Sequence, residues 1–237
     1  MKILALDSAL SSCSAAVIMD GEISAEIFES RMRGHAERLV PMCRDVCARA
    51  AVDLTDMDYI AVTRGPGTFT GVRIGLAAAK GLALALGAPL IGLTTLEVVA
   101  RNAAEALGDG FRGRIAVGHD ARRSEAYLQL FSLAGGRVSA TSNPAAVPLP
   151  KVGEFIGEEV AALVGTGAAL IRSFLTREVA DRMIFPEIND QPNAGTIGRM
   201  AAEKLASGEM PQTVTPLYLR APDAIAAKPV VYPFQNR

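Results

Sequence analysis

A glycine-rich run that leads straight into an almost wholly apolar helix limits what this chain can fold into. Thr63-Arg64-Gly65-Pro66-Gly67-Thr68-Phe69-Thr70-Gly71-Val72-Arg73-Ile74-Gly75-Leu76 opens it, and from Thr70 to Leu86 the only charges are Arg73 and Lys80, which share one stripe. Such a helix must be covered on more than one side, by its own fold or by a second protein. Gly71 and Gly75 are four apart, and Ala78 and Leu82 extend their face, so another helix could approach closely there. Val72, Leu76, Ala79 and Ala83 make a second face suited to a sheet. The natural neighbour is a helix over 37–51 with the apolar stripe Leu39, Met42, Cys43, Val46, Cys47 and Ala50. Side by side, the two helices predict a protein-docking surface. The entry reads as a tight turn, with Pro66 fixing φ, Gly67 supplying a positive φ and Thr70 capping the helix. It lacks the Lys that a Walker phosphate loop places directly before the helix-opening Ser or Thr; the next is Lys80.

The remaining composition narrows the function classes. Half of the 237 residues are apolar, Trp is absent and aromatics are 5%, so the core is aliphatic. A net charge of −1 supplies no basic field for nucleic acid, so any RNA contact should be local or belong to a partner. The opening MKILALDSAL is interrupted by Asp7 too early for a signal peptide, and charge-free apolar runs fall short of the ~18–20 residues that span a bilayer. Cys13, Cys43 and Cys47 are an odd set without framework spacing, which points to free thiols, a cytoplasmic protein and no membrane.

Along the chain, strands are expected at 2–6, 14–19 and 22–30, the last two joined by an Asp20-Gly21 hairpin turn. Further strands at 59–63 and 90–93 alternate with the two helices above and a third over 95–107. A strand at 114–118 running into His119-Asp120 starts the pattern again, followed by a second hairpin around Gly135-Gly136. A short helix near 151–157, a strand at 160–164 and helices over 168–178 and 194–207 complete it. The expected fold is α/β, two ribonuclease-H-like lobes in the actin-like ATPase architecture, the second reduced. The lobes are assigned to 1–107 and 108–220, with a tail at 221–237.

That plan makes Asp7 and Asp120 candidates to face a Mg-nucleotide across a central cleft, with Ser8 and the Gly165-Thr166-Gly167 turn as remnants of phosphate loops. A Mg-ATPase or small-molecule kinase using the two aspartates is therefore the alternative function. Against it, the Ser8–Ser14 segment has no glycine, and a short GxG after a strand carries little information. His35 and His119 are the only histidines, without metal-ligand spacing, and no Ser–His–Asp arrangement is legible. His119 and Asp120, being adjacent on a strand, should point to opposite faces.

GHAERLVPM, TRGPGTFTGVRIGLAAAKGLALALGAPLIGLTTLE, DARRSEAY, VGTGA and PLYLRAPDA, in this order, resemble the bacterial TsaB (YeaZ) family over nearly the whole chain. The resemblance implies an actin-like-fold subunit of the machinery that attaches threonylcarbamoyl to the adenosine beside the anticodon in tRNAs reading A-starting codons. It implies a non-catalytic role. The catalytic paralogue, TsaD, carries a His-x-x-x-His metal site, and only His35 stands at the related place here, with Leu39 four residues on. ATP and the metal are expected in partner subunits, none being held firmly by this chain. The implied partners are TsaD, the ATPase TsaE and, in isolation, a second copy. Carried over by position, the interface comprises His35, Leu39, Met42, Cys43, Val46, Gly71, Ile74, Gly75, Ala78 and Leu82.

Overall fold

The computed structural model describes residues 1–220; the tail assigned to 221–237 lies outside them. β1 (Lys2–Asp7), β2 (Ser12–Met19) and β3 (Glu22–Ser30) form an antiparallel meander. Asp20 and Gly21 both take positive φ, as a two-residue hairpin turn matched to strand twist requires. α1 (His35–Arg49), β4 (Tyr59–Thr63), α2 (Phe69–Leu86) and β5 (Leu90–Leu93) follow. β4 and β5 add in parallel, giving the order β3-β2-β1-β4-β5 of a ribonuclease-H-like unit.

After α3 (Thr95–Leu107), β6 (Arg112–Arg122), β7 (Glu125–Ala134) and β8 (Arg137–Ala140) repeat the meander, and β9 (Ala145–Pro148) extends the edge of β7. α4 (Val152–Ile156) leads to β10 (Val160–Val164), which pairs in parallel with β6. Beyond β10, at the place β5 holds in the first sheet, there is a single parallel bridge, Ala162 to Ile184. This is the reduction expected of the second lobe. α5 (Ala168–Arg172), α6 (Arg177–Arg182) and α7 (Ala194–Ala206) complete the described chain. The helix expected over 168–178 is split, because Thr176 accepts from Val179 N and caps a new helix.

The cores do not follow the two halves of the sequence. α1 and α2 cover one face of the first sheet, with Leu39, Met42, Val46, Val72, Leu76 and Ala79 against Leu4, Leu6, Val17 and Val62. Its other face is covered chiefly by α7, from the second half: Ile197 and Ala201 meet Ile3, Ala5, Ala16 and Ile18. α3, from the first half, packs Leu96, Val99 and Ala103 on the second sheet against Ile115, Val117 and Phe131. Cutting at 107/108 would strip each sheet of a helix. α3 and α7 are joined by Asn102, whose Oδ1 accepts from Thr196 Oγ1 at 2.9 Å and Asn193 Nδ2 at 3.3 Å.

α2 begins two residues earlier than expected. Thr68, not Thr70, is the cap, its Oγ1 accepting from Gly71 N at 3.0 Å, and Gly65 rather than Gly67 takes the positive φ, before a cis bond to Pro66. The first turns of α2 lie against the β1–β2 connection. A Cβ at Gly71 would run into the Ser8 carbonyl and one at Gly75 would stand 3.0 Å from Ser8 Oγ, whereas one at Gly81 would meet nothing within 4 Å. Gly71→Ala should therefore cost about 1–3 kcal/mol despite its better helix propensity, while Gly81→Ala should gain up to about 1 kcal/mol. Denaturant midpoints of the two variants check this, and equal effects would contradict it.

Candidate functional site: an interlobe cavity and an exposed helix face

The carboxyl ends of β1 and β4 point toward the junction of the lobes, where an open α/β sheet usually places its site. A cavity of about 630 Å³ lies there, lined by Leu10, Thr68, Phe69, Asp120, Arg122, Tyr127, Thr166, Gln191, Tyr218 and Arg220, among others. Asp120 and Thr166 reach it; Asp7, Ser8, Gly165 and Gly167 do not line it. The two aspartates thus share no space, which corrects the expectation of a carboxylate pair across a cleft. Register explains the difference. Asp7 follows Ile3 and Ala5 on the strand face that α7 covers, pairs across with Ser14, and is fully buried.

Asp7 Oδ1 accepts from Thr63 Oγ1 and from Ala9 N at 3.3 Å, while Oδ2 has no partner. Burial, only partly opposed by these hydrogen bonds, raises its carboxyl from 3.8 to about 7. Asp120 is half-exposed and turned onto its own hairpin, its Oδ1 accepting from Arg122 N at 2.7 Å and its Oδ2 lying 3.1 Å from Arg122 Nη1.

The expected phosphate loops are also closed. A phosphate cradle needs free backbone N–H groups. In the first loop Ala9 N goes to Asp7, Ser11 N goes to Gln191 Oε1 at 3.1 Å, and the Ala9 carbonyl accepts from Thr68 N at 2.8 Å. In the second, Gly165 N donates to Asp190 Oδ1 and Gly167 N to Gly118 O, each at 2.9 Å. Of the residues assigned to a nucleotide, only Asp120 and Thr166 line the cavity.

The residues do not fit a metal. His35 Nε2 lies 3.2 Å from the Leu10 carbonyl, Leu39 is fully buried, and among the described residues no three His, Cys, Asp or Glu side chains converge. At the cavity edge His119 Nδ1 is 3.1 Å from Thr166 Oγ1, a hydroxyl–imidazole pair that sequence order does not reveal. Burial holds His119 down at about 4 and its Nε2 has no partner, so it is a poor base for activating Thr166.

The interface residues divide. Leu39, Met42, Cys43 and Val46 are fully buried in the chain's own core, and burial pushes the Cys43 thiol up to about 12. Gly71 and Gly75 are buried against Ser8. These six present nothing to a partner, so the small-residue face serves the chain's own packing. His35, Ile74, Ala78 and Leu82 are half-buried. The open face of α2 is instead Arg73, Ala77, Lys80, Gly81, Leu84 and Ala85, all exposed, with Leu84 at 87%.

A family model described as TsaD, tRNA N6-adenosine threonylcarbamoyltransferase, matches residues 22–228. The solved YeaZ of Pseudomonas aeruginosa superposes with a TM-score of 0.80 at 31% identity, covering 92% of this chain and 99% of that one. The chain belongs to the TsaB (YeaZ) family. The Escherichia coli K12 protein named tRNA threonylcarbamoyladenosine biosynthesis protein TsaB is 42% identical over 127 residues, 54% of this chain and 53% of that protein. The Bacillus subtilis 168 protein of the same name is 32% identical over 136 residues, 57% of each chain. The chain thus spans about half the length of the curated relatives it matches. One solved Pseudomonas aeruginosa relative is described as similar to peptidase YeaZ; in this TsaB-family chain the Thr166–His119 pair gives that chemistry little support.

The raised Asp7 carboxyl makes stability pH-dependent. The folded state keeps a proton that the unfolded chain releases above 3.8, so this stabilisation is complete below that pH and is lost as pH rises through about 7. Asp7→Asn cannot ionise, and His119 is common to both proteins. Relative to the variant, the wild type should lose on the order of 4 kcal/mol between pH 4 and pH 8, about three pKa units at roughly 1.4 kcal/mol each. Denaturant titrations of both proteins at each pH measure this; a constant difference would refute a buried, proton-holding Asp7.

Proposed function

We propose that this chain is a non-catalytic partner subunit in tRNA threonylcarbamoyladenosine biosynthesis. It docks on a TsaD-type catalytic subunit and activates it. The observation that carries the reading is α2, 18 residues long, apolar, and only 28% buried. By length and composition this helix could also cross a bilayer. Gly71, Val72, Gly75, Leu76 and Ala79, however, pack one side of it into the chain's own fold, and Arg73 and Lys80 stand on the open side. A protein surface suits that face better than lipid.

A TsaD-type occupant is favoured because a TsaD family model matches this chain itself. Two proteins of one fold can present the same helix pair to each other about a pseudo-two-fold axis, and two copies of this chain can do likewise when the partner is absent. Engagement of a TsaE-type ATPase rests on the family resemblance. The cavity supports the non-catalytic part, since its aspartates are separated and its loops are closed. ATP and metal then belong to the partner subunits, tRNA contact is indirect at a net charge of −1, and the chain works in the cytoplasm.

Leu84→Asp should weaken docking on a TsaD-type subunit at least 100-fold without moving the denaturation midpoint, because Leu84 is 87% exposed among the described residues. Calorimetry and circular dichroism measure the two effects. Reconstituted tRNA modification with TsaD-type and TsaE-type subunits should fail when this chain is omitted. Full modification without it would overturn the reading.

A further inference from the structure

We propose that Arg73 is the polar anchor of the α2 docking face and receives a carboxylate from the partner subunit; this rests on the reading of α2 given above. Arg73 shares a stripe with Ala77, Lys80 and Leu84, at i, i+4, i+7 and i+11, and all four are exposed. The stripe therefore carries cations at Arg73 and Lys80, small Ala77 between them, and ends in apolar Leu84. Arg73 and Leu84 mark its two ends, about 16 Å apart along the helix.

Arg73 is held ready rather than left to wave in solvent. Its guanidinium lies 3.6 Å above the centroid of the Phe69 ring and 5.8 Å from that of Tyr218, and Nε donates to the Tyr218 hydroxyl at 2.9 Å. The two rings stand 5.5 Å apart. Tyr218 is itself fastened, because its segment runs along the first sheet. Val214 is buried over Gly92, and Leu217 N donates to Arg64 O at 2.7 Å. The stack fixes the guanidinium plane before any partner arrives, which lowers the entropy lost when a fork-shaped contact forms.

Several arginines, among them Arg31, Arg38, Arg101, Arg114, Arg122 and Arg199, pair with a carboxylate of this chain. Among the described residues Arg73 pairs with none, its Nε bond going to a neutral phenol. A preset arginine that no acid among the described residues neutralises, at one end of an exposed stripe, has the form of an interface hot spot. The chemistry that completes it is an Asp or Glu side chain accepting in bidentate fashion.

Binding to the TsaD-type subunit, measured by calorimetry at several salt concentrations, tests this with four variants of the full chain. Arg73→Ala should weaken binding tenfold to a hundredfold and flatten its salt dependence, whereas Arg73→Lys should weaken binding severalfold and keep most of the salt dependence, since lysine keeps the charge but loses the fork and the stack. Tyr218→Phe, which frees the guanidinium, should weaken it severalfold. Leu84→Asp is the reference for the α2 reading. If Leu84→Asp binds normally, that reading falls and this inference falls with it. If Leu84→Asp abolishes binding while Arg73→Ala stays within twofold of wild type, the inference alone is overturned. Weaker binding of Arg73→Ala with an unchanged salt dependence would likewise overturn it, because the loss would then come from unseating residues 213–220 rather than from a missing ion pair.

Discussion

The exchange of helices between the two halves holds this molecule together. α7 covers a face of the first sheet and α3 covers the second, with Asn102 bonding the two through Thr196 and Asn193. Neither sheet has a complete core without a helix from the opposite half. Each half therefore depends on the other for its core.

Packing also decides where the expected nucleotide residues stand. The β1–β2 connection lies directly on the first turns of α2, which Gly71 and Gly75 make possible, and Ser8 donates to the Gly71 carbonyl there. Asp7 is left under α7 with a carboxyl raised to about 7, and Asp120 turns back on its hairpin. The glycine face that looks designed for a partner is filled by the chain's own loop. The face proposed for a partner lies on the other side of α2, where Ala77, Gly81, Leu84 and Ala85 are open to solvent.

Much of the architecture was legible in the sequence. The short apolar run of β1, the Asp20-Gly21 turn and the 3.6-residue stripe of α1 are local patterns that report a residue's neighbours along the chain. Asp7 and Asp120 were legible as strand-end carboxylates, but their separation was not, because the face a strand residue occupies depends on register and on which helix arrives above it. The Arg73–Tyr218 bond was invisible, since its members are 145 residues apart and nothing in the local pattern around Tyr218 marks it.

Sequence alone determined the repeated order of strands and helices, the aliphatic core, the absence of a phosphate-loop lysine and an α2 helix too apolar to stand uncovered. These follow from composition and short-range periodicity. Only the tertiary structure decided which face of α2 is consumed by the fold and which is left over, that the halves trade helices, and that a tyrosine near residue 220 orients Arg73 at the start of the open face. Those outcomes depend on contacts between segments far apart in the chain, where the energy of close packing, not local propensity, selects the arrangement.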